Sequence, residues 1–534
     1  MLTIEVTNSN GKTRMYKFIV IDAHSHIGKD VDGAEMMNPN APNGTFDFWT
    51  KTESMIENMW NEGKMDQSFS TTIGNQPAKL TIGFEPHPIV LGLYRQLETL
   101  DSGRYGSYLE RIQNQRLFDQ GAMFPFQDEF RDKMPEALYR ASNINVHRTV
   151  SRFPTSIRTI GYMRCDPMEG KKAVQEMEYV RTNLQIRGMK LHPRSEGWID
   201  HIASEKAVAC LLKAAEYQWP VIFDTRGKQS ILDIGRLIDL ARNRLESTQP
   251  ELLPHLKVII AHFAQGNVGD EEVYRTITKP NTYGDLSMLH GKGAGRFFAD
   301  FREWFKTNQI KQLNTQKYED SRDWSEYLLF ASDYPYFGAQ HAKGLMIYVF
   351  NKEFYESGGT LQDTANILGL NQLKLLPEYS SGYISALPRA GSSIVHSPSL
   401  LTQEQSAALS STELAMNPTE QMLGAIADLV HRKAFNIEKI LFQYAGTYEN
   451  YQNEALLVCK KKTLDQEIPV LMMNLVQNHL NMLGVLPEGA KWTPLGYENY
   501  YNPETRKAFN AMFQQTWPAK NPKEAADMLE KILS

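Results

Sequence analysis

Asp22-Ala23-His24-Ser25-His26 closes an apolar run that begins at Phe18, and the reading of this stretch decides the fold. In extended backbone, residues two apart face the same way, so His24 and His26 can aim two imidazoles at one point. That is the arrangement of a metal clamp. A His-x-His pair near a strand end also occurs as two hydrogen-bonded core histidines, so the motif alone leaves both readings open.

The rest of the chain weighs toward the clamp. After FIVIDA (18–23) come GAMFPF (121–126), IRTIGYMR (157–164), RGMKLH (187–192), WPVIFD (219–224), LKVIIAH (256–262), TYGDLS (282–287) and YLLFASD (327–333). Stretches with helical spacing lie between them, such as Ala173, Val174, Met177 and Val180, or Ile231, Ile234, Leu237, Ile238 and Leu240. Strands alternating with amphipathic helices form βα units on a parallel sheet, and eight of them predict an α/β fold, a closed (β/α)8 TIM barrel. Several of these runs end in an ionisable side chain: Lys190 and His192 on the fourth, Asp224 on the fifth, His262 on the sixth and Asp333 on the eighth. In a barrel those ends surround one mouth. An unpaired carboxylate at the end of a buried strand is costly, so Asp333 calls for a cation or a histidine partner, and His262 follows the same logic. Arg194 and Arg226, just past their strands, are candidate carboxylate clamps, with solvated ion pairs as the ordinary alternative. His87, His201, His290 and His341 lack such a context and receive no role.

With 534 residues the chain exceeds one ordinary core. We expect an N-terminal β-hairpin over 1–17, turning at Asn10-Gly11, and a barrel over 18–377. The long segment 28–118 after the first strand is expected to form an insertion or lid, and 378–534 a mainly helical C-terminal extension. A net charge of -5, with 57 basic and 62 acidic side chains mixed along the length, gives no footprint for nucleic acid and leaves a small molecule as the expected partner. Cys165, Cys210 and Cys459 are widely separated and odd in number, which fits a reducing compartment. The N-terminal stretch has no uninterrupted apolar segment of the secretory kind. The apolar stretch from Val470 to Leu486 carries Asn474, Gln477, Asn478, His479 and Asn481, which favours a packed helix over a membrane span. The expectation is a cytoplasmic protein without a membrane partner.

The same residues carry a family resemblance. IDAHSHIG, RGMKLHP, PVIFDTRG, VIIAHFAQG and LLFASDYPY stand in the order and approximate spacing of the amidohydrolase-related family, in the branch that includes aminocarboxymuconate semialdehyde decarboxylase and resorcylate decarboxylases. RTIGYMRCDP resembles the third strand of that family, and ILGLNQLKLLP resembles the helix that closes such domains. The likeness spans about 18–377, interrupted by the insertion. It implies a divalent ion, usually Zn²⁺, held by His24 and His26 with Asp333, and His262 as a proton-transfer or transition-state-stabilising group. Asp333 would also orient or deprotonate a metal-bound water.

One position departs from the pattern. Where the family reads FHTG on the fifth strand, this chain reads Phe223-Asp224-Thr225-Arg226-Gly227. Three outcomes stay open: Asp224 ligates, favouring Mn²⁺ or Mg²⁺; His192 takes over as ligand; or the site works without metal, as lactonase members do. Lys190 is either a carboxylated bridging ligand or, more in keeping with the missing histidine, an anchor for a substrate carboxylate or a partner of Asp224. The leading expectation is a metal-dependent hydrolase of an amide, lactone or related carbonyl compound that bears a carboxylate. Non-oxidative decarboxylation is the alternative, and a catalytically inactive binding module the third reading. Homo-oligomer formation is expected by analogy alone.

Overall fold

Apolar runs with no polar alternation belong in strands covered on both faces. β10 (Val221–Phe223) and β11 (Val258–Ile260) are such strands, and every side chain in them is buried. Each fully buried Val or Ile contributes about 1.5–3 kcal/mol relative to exposure. The computed structural model describes residues 2–18, 20–27, 43–73, 76–86, 115–125, 139–151, 159–184, 186–289, 292–336 and 338–375. The helical reading of 378–534, Cys459 and part of the 28–118 insertion lie outside the described residues.

The fold is mixed α/β. A six-stranded parallel sheet runs in the order β13 (Leu328–Leu329), β12 (Thr282–Asp285), β11, β10, β9 (Met189–Leu191), β8 (Met163–Arg164). A three-stranded parallel sheet has the order β3 (Ile21–Ile27), β6 (Gln120–Pro125), β7 (Thr159–Gly161). Only Tyr162 separates β7 from β8; its N–H donates to Met123 (2.8 Å), and Met163 donates to Gly188 (2.9 Å). The 159–164 segment therefore lies between β6 and β9. A Cβ at Gly188 would sit 2.7 Å from the Tyr162 ring, so only glycine permits that approach.

At the other edge, residues 330–334 run beside β3. Ala23 donates to Phe330 (3.0 Å), Asp333 to the His24 carbonyl (2.9 Å) and His26 to Tyr334 (2.9 Å), with a parallel bridge between Ser25 and Tyr334. Each strand read from the sequence is present; β3 runs on past Ala23 to Ile27 and β6 keeps the length of its run, while the later strands are shorter than theirs. Outside β3, His192, Asp224, His262 and Asp333 fall one to four residues beyond the ends of their strands.

The helices follow the expected faces. Ala173, Met177 and Val180 are buried on the helix Lys171–Asn183, and Ile231, Ile234, Leu237 and Ile238 on Gly227–Thr248, whereas Leu240 is exposed. Ser204 and Asp270 cap the helices Glu205–Glu216 and Glu271–Ile277 by accepting from Ala207 and from Glu272 and Val273. Asn366–Leu375 is helical, with Ile367, Leu368, Leu370 and Leu375 buried, and Asn371 donates to the Ser325 and Leu328 carbonyls (2.8 Å each), fixing it against β13.

At the N-terminus β1 (Leu2–Asn8) pairs antiparallel with β2 (Thr13–Phe18), with Gly11 at φ +74° in the turn. It is joined by two strands of the insertion, β5 (Gln76–Phe84) and β4 (Ser68–Ile73), in an antiparallel sheet of order β2-β1-β5-β4. The insertion also contributes the helix Asn43–Asn61, whose Phe48 ring lies 4.6 Å from Tyr334. Cys165 and Cys210 are buried and form no disulfide among the described residues. No helix among the described residues is long and apolar enough to cross a membrane.

Candidate functional site

Alternation along β3 puts His24 and His26 on one face, and both are buried. Their ring centroids are 5.3 Å apart, and the Phe124 ring packs edge-on at 4.9 and 4.8 Å from them. Asp22, at the start of the strand, ties this segment to residues after β13: its carboxylate accepts from Ser25 Oγ (2.9 Å), the His24 N–H (3.2 Å), the Ser332 N–H (2.9 Å) and the Ser332 hydroxyl. Burial pushes the Asp22 carboxyl up to about 6 against those four donors.

His262 and Asp333 enter from strands β11 and β13. Both have left-handed backbone, φ +54° and +53°, which turns the chain sharply where pairing ends. That conformation costs on the order of 1 kcal/mol at a non-glycine residue, so packing and hydrogen bonds must hold it. The Asp333 carboxylate is the centre of the arrangement. Its Oδ1 lies 3.0 Å from both His24 Nε2 and His26 Nε2, and its Oδ2 lies 3.7 Å from His262 Nε2. All four residues are buried.

The far sides of two rings are also held. His24 Nδ1 lies 2.6 Å from Asp285 Oδ2, and His262 Nδ1 lies 2.6 Å from Ser287 Oγ, whose hydroxyl donates to Asp285 Oδ1. Asp285 Oδ1 additionally accepts from the backbone N–H groups of Ser287 (2.9 Å) and His262 (3.3 Å). Asp285 was not singled out from the sequence. The signal was a carboxylate inside the strand TYGDLS, where an isolated charge is costly.

On the opposite flank, Asp224 Oδ1 is 3.3 Å from His262 Nε2 and 3.9 Å from Lys190 Nζ. Asp224 Oδ2 is 3.3 Å from His192 Nε2 and 3.8 Å from Arg226 Nη2, yet forms no well-aligned hydrogen bond among the described residues. Lys190 Nζ is buried 3.3 Å from His24 Nε2 and 4.8 Å from the Phe124 centroid. Of the proposed clamps, Arg226 reaches the cluster, while Arg194 is exposed and enters no ion pair among the described residues. A second missed group lies nearby. Buried Arg164, at the end of β8, pairs with Glu196 (2.5 Å), which also accepts from Tyr139 (2.6 Å) and Trp198 (2.9 Å) and so fastens the loop after β9.

The electrostatics match this geometry. Burial and the Lys190 ammonium oppose a proton on His24, but Asp285 and Asp333 outweigh them and lift it to about 9. Burial takes His26 down to about 3 despite Asp333. Burial also opposes ionised Asp333, but His262, His24 and His26 hold its carboxyl well below the usual range. Asp224 stays similarly low against burial through His192, His262 and Lys190. Asp285 falls to about 2 because His24, His262 and Ser287 overcome the cost of burial. Lys190 is lowered by burial.

A divalent cation fits this donor set. His24, His262 and Asp333 present ligand atoms within 4.8 Å of one another. His24 Nδ1 and His262 Nδ1 face Asp285 and Ser287, and Nε2 of both rings faces carboxylate oxygens of Asp333 and Asp224 at 3.0–3.7 Å. Lone pairs and carboxylates at that separation repel unless a proton or a cation lies between them.

No protein-family model matches the sequence, and no curated protein does. Among solved structures, the chain is similar to a putative amidohydrolase from Staphylococcus aureus, at 15% identity over 52% of this chain and 94% of that one, with a TM-score of 0.34. It is similar to 2,6-dihydroxybenzoate decarboxylase from Rhizobium, at 12% identity over 52% and 94% of the two chains, with a TM-score of 0.34. It is also similar to 5-carboxyvanillate decarboxylase from Sphingomonas paucimobilis, at 12% identity over 67% and 99%, with a TM-score of 0.36. At these TM-scores the functional reading rests on the geometry of the site itself.

Proposed function

We propose that this chain is a metal-dependent hydrolase of the amidohydrolase type, acting on a small carboxylate-bearing amide, lactone or related carbonyl compound. The observation that carries the reading is Asp333, a buried carboxylate within 3.0–3.7 Å of the three imidazoles of His24, His26 and His262. The eight parallel strands are read as a closed (β/α)8 barrel with this site at its mouth; the backbone hydrogen bonds on either side of Tyr162 and those joining β3 to 330–334 support the closure.

His24, His26, Asp224 and Asp333 form the proposed ligand set for a divalent ion, Zn²⁺ or, given two carboxylates, Mn²⁺; His24 and Asp333 also belong to the cluster within 4.8 Å, whose third member, His262, is assigned here to proton transfer. Such an ion supplies Lewis-acid activation of water or of the substrate carbonyl. Asp333 takes the proton of the attacking water, since its carboxylate is kept ionised and faces the ring nitrogens. His262 presents Nε2 to the reacting carbonyl or leaving group while Ser287 holds the other side of the ring. Lys190 and Arg226 draw in the substrate carboxylate. The test is product analysis in ¹⁸O water with a panel of lactones, amides and carboxylated aromatics after reconstitution with Zn²⁺ or Mn²⁺. Label in the product supports hydrolysis. No turnover with either ion on any member of the panel overturns the reading.

Decarboxylation is a second reading, favoured by one observation. Lys190 lies 4.8 Å from the Phe124 ring, so a carboxylated aromatic ring could set its carboxylate on the ammonium and its face against Phe124. Release of carbon dioxide without ¹⁸O incorporation would select it.

A further inference from the structure

One carboxylate, Asp285, touches the supports of two imidazoles that are given different tasks in the proposed function. We infer that Asp285 is a positioning residue that sets the proton placement of both His24 and His262, directly for the first and through Ser287 for the second. The inference rests on the functional reading for what the two rings do, and on geometry alone for how they are held.

Proton counting makes the argument. Asp285 is buried and accepts at both oxygens: Oδ2 meets His24 Nδ1 at 2.6 Å, while Oδ1 receives Ser287 N–H, His262 N–H and the Ser287 hydroxyl. A carboxylate so surrounded has no proton to give, and it requires a donor at His24 Nδ1. The Ser287 hydroxyl has a single proton, and it is directed to Asp285. Toward His262, 2.6 Å away, the hydroxyl can only accept, so Nδ1 of that ring carries a proton as well. Both Nε2 atoms are thereby turned toward Asp333, at 3.0 Å for His24 and 3.7 Å for His262. A carboxylate behind a histidine raises the donor strength of the opposite nitrogen. The two rings are not equivalent, because one carboxylate contact is direct and the other passes through a neutral hydroxyl. His24 receives the stronger push, as suits a ligand, and His262 the weaker one, as suits a group that exchanges protons.

The branch point makes the two arms separable. Ser287→Ala removes only the arm to His262, whereas Asp285→Asn alters both while keeping size and an acceptor oxygen. The experiment uses the full chain labelled with ¹⁵N-histidine and freed of metal, with His24→Gln and His262→Gln variants to assign the two rings. Long-range proton–nitrogen correlations should show Nδ1 protonated in both rings of the wild type. Ser287→Ala should shift the His262 signals and leave those of His24 in place; Asp285→Asn should shift both. In parallel, competition with a chromophoric chelator should show Zn²⁺ affinity about 10- to 100-fold weaker in Asp285→Asn and within about threefold of wild type in Ser287→Ala. Nδ1 unprotonated in either ring of the wild type, or His24 signals that ignore Asp285→Asn, would overturn the inference. Failure of the wild type to take up Zn²⁺ would overturn the proposed function instead, and the nitrogen spectra would still decide the role of Asp285. Should Asp285→Asn not fold, judged by circular dichroism, Ser287→Ala decides through the His262 signals alone.

Discussion

On one flank of the site, Asp285 and Ser287 hold His24 and His262 by side-chain contacts of 2.6 Å. On the other, Asp224 meets His262, His192, Lys190 and Arg226 at 3.3–3.9 Å, with one oxygen lacking any well-aligned hydrogen bond among the described residues. Hydrogen bonds that short fix ring orientation, whereas charge contacts at the longer distances tolerate several geometries. The first flank is built for precision. The second has the latitude to accept different ions or substrate carboxylates, which is where a fifth-strand Asp in place of His would matter.

Substitutions on the two flanks should therefore differ in severity. His24→Ala should abolish ion binding, taking metal content from about one per chain to none by elemental analysis after Zn²⁺ loading. Undiminished content would remove the first flank from the metal site. Asp333→Asn, which keeps shape but not charge, should lower turnover about 10²- to 10⁴-fold once a substrate is in hand, read from steady-state kinetics. Asp224→Ala should weaken Zn²⁺ affinity by a smaller factor, about 10-fold, by chelator competition, and Asp224→His should shift preference from Mn²⁺ toward Zn²⁺. A loss in Asp224→Ala as complete as that of His24→Ala would erase the contrast.

The pH dependence follows from the precise flank. Asp285 and Asp333 keep His24 protonated up to about 9 in the metal-free chain, so a cation must displace that proton. Affinity for Zn²⁺ should then rise by about tenfold per pH unit for that one proton across the neutral range, levelling off as pH approaches the His24 value. Isothermal titration in buffers of different ionisation enthalpy would count the protons released. The smallest effect belongs to Arg194→Ala. That side chain is exposed and outside both flanks, and its removal should change unfolding free energy by less than about 0.5 kcal/mol in a urea titration.

What the sequence discloses has a physical pattern. His24, His26, Asp224, His262 and Asp333 were legible because each interrupts an apolar run at its end, where burial makes an ionisable group conspicuous. Asp285 escaped because it serves other side chains, and its value appears only when β3 and β11 come beside it. Asp22 escaped for the same reason, its partner Ser332 lying 310 residues away. Arg194 stands exposed in the turn after β9, where strand phase is lost: the Pro193 carbonyl accepts from Trp198 and Glu196 is committed to Arg164. The strands of the insertion had a visible signal, the alternation of Phe69 with Thr71 and Leu80 with Ile82. Their pairing with the N-terminal hairpin had none, since nothing local encodes the register of Leu2 opposite Phe84.

The hydrogen bonds joining β3 to residues 330–334 also set a clock. His26 and Asp333 are separated by 307 residues, so during synthesis the histidine pair emerges well before its partner exists. At about 5–20 residues per second, that interval is about 15–60 s. Through it the apolar first strand has no neighbour on one side, and the nascent chain carries an unfinished edge open to chaperones. On the proposed reading, loading with metal is a late event in the life of each molecule, and a chain truncated before residue 334 would be born without a site.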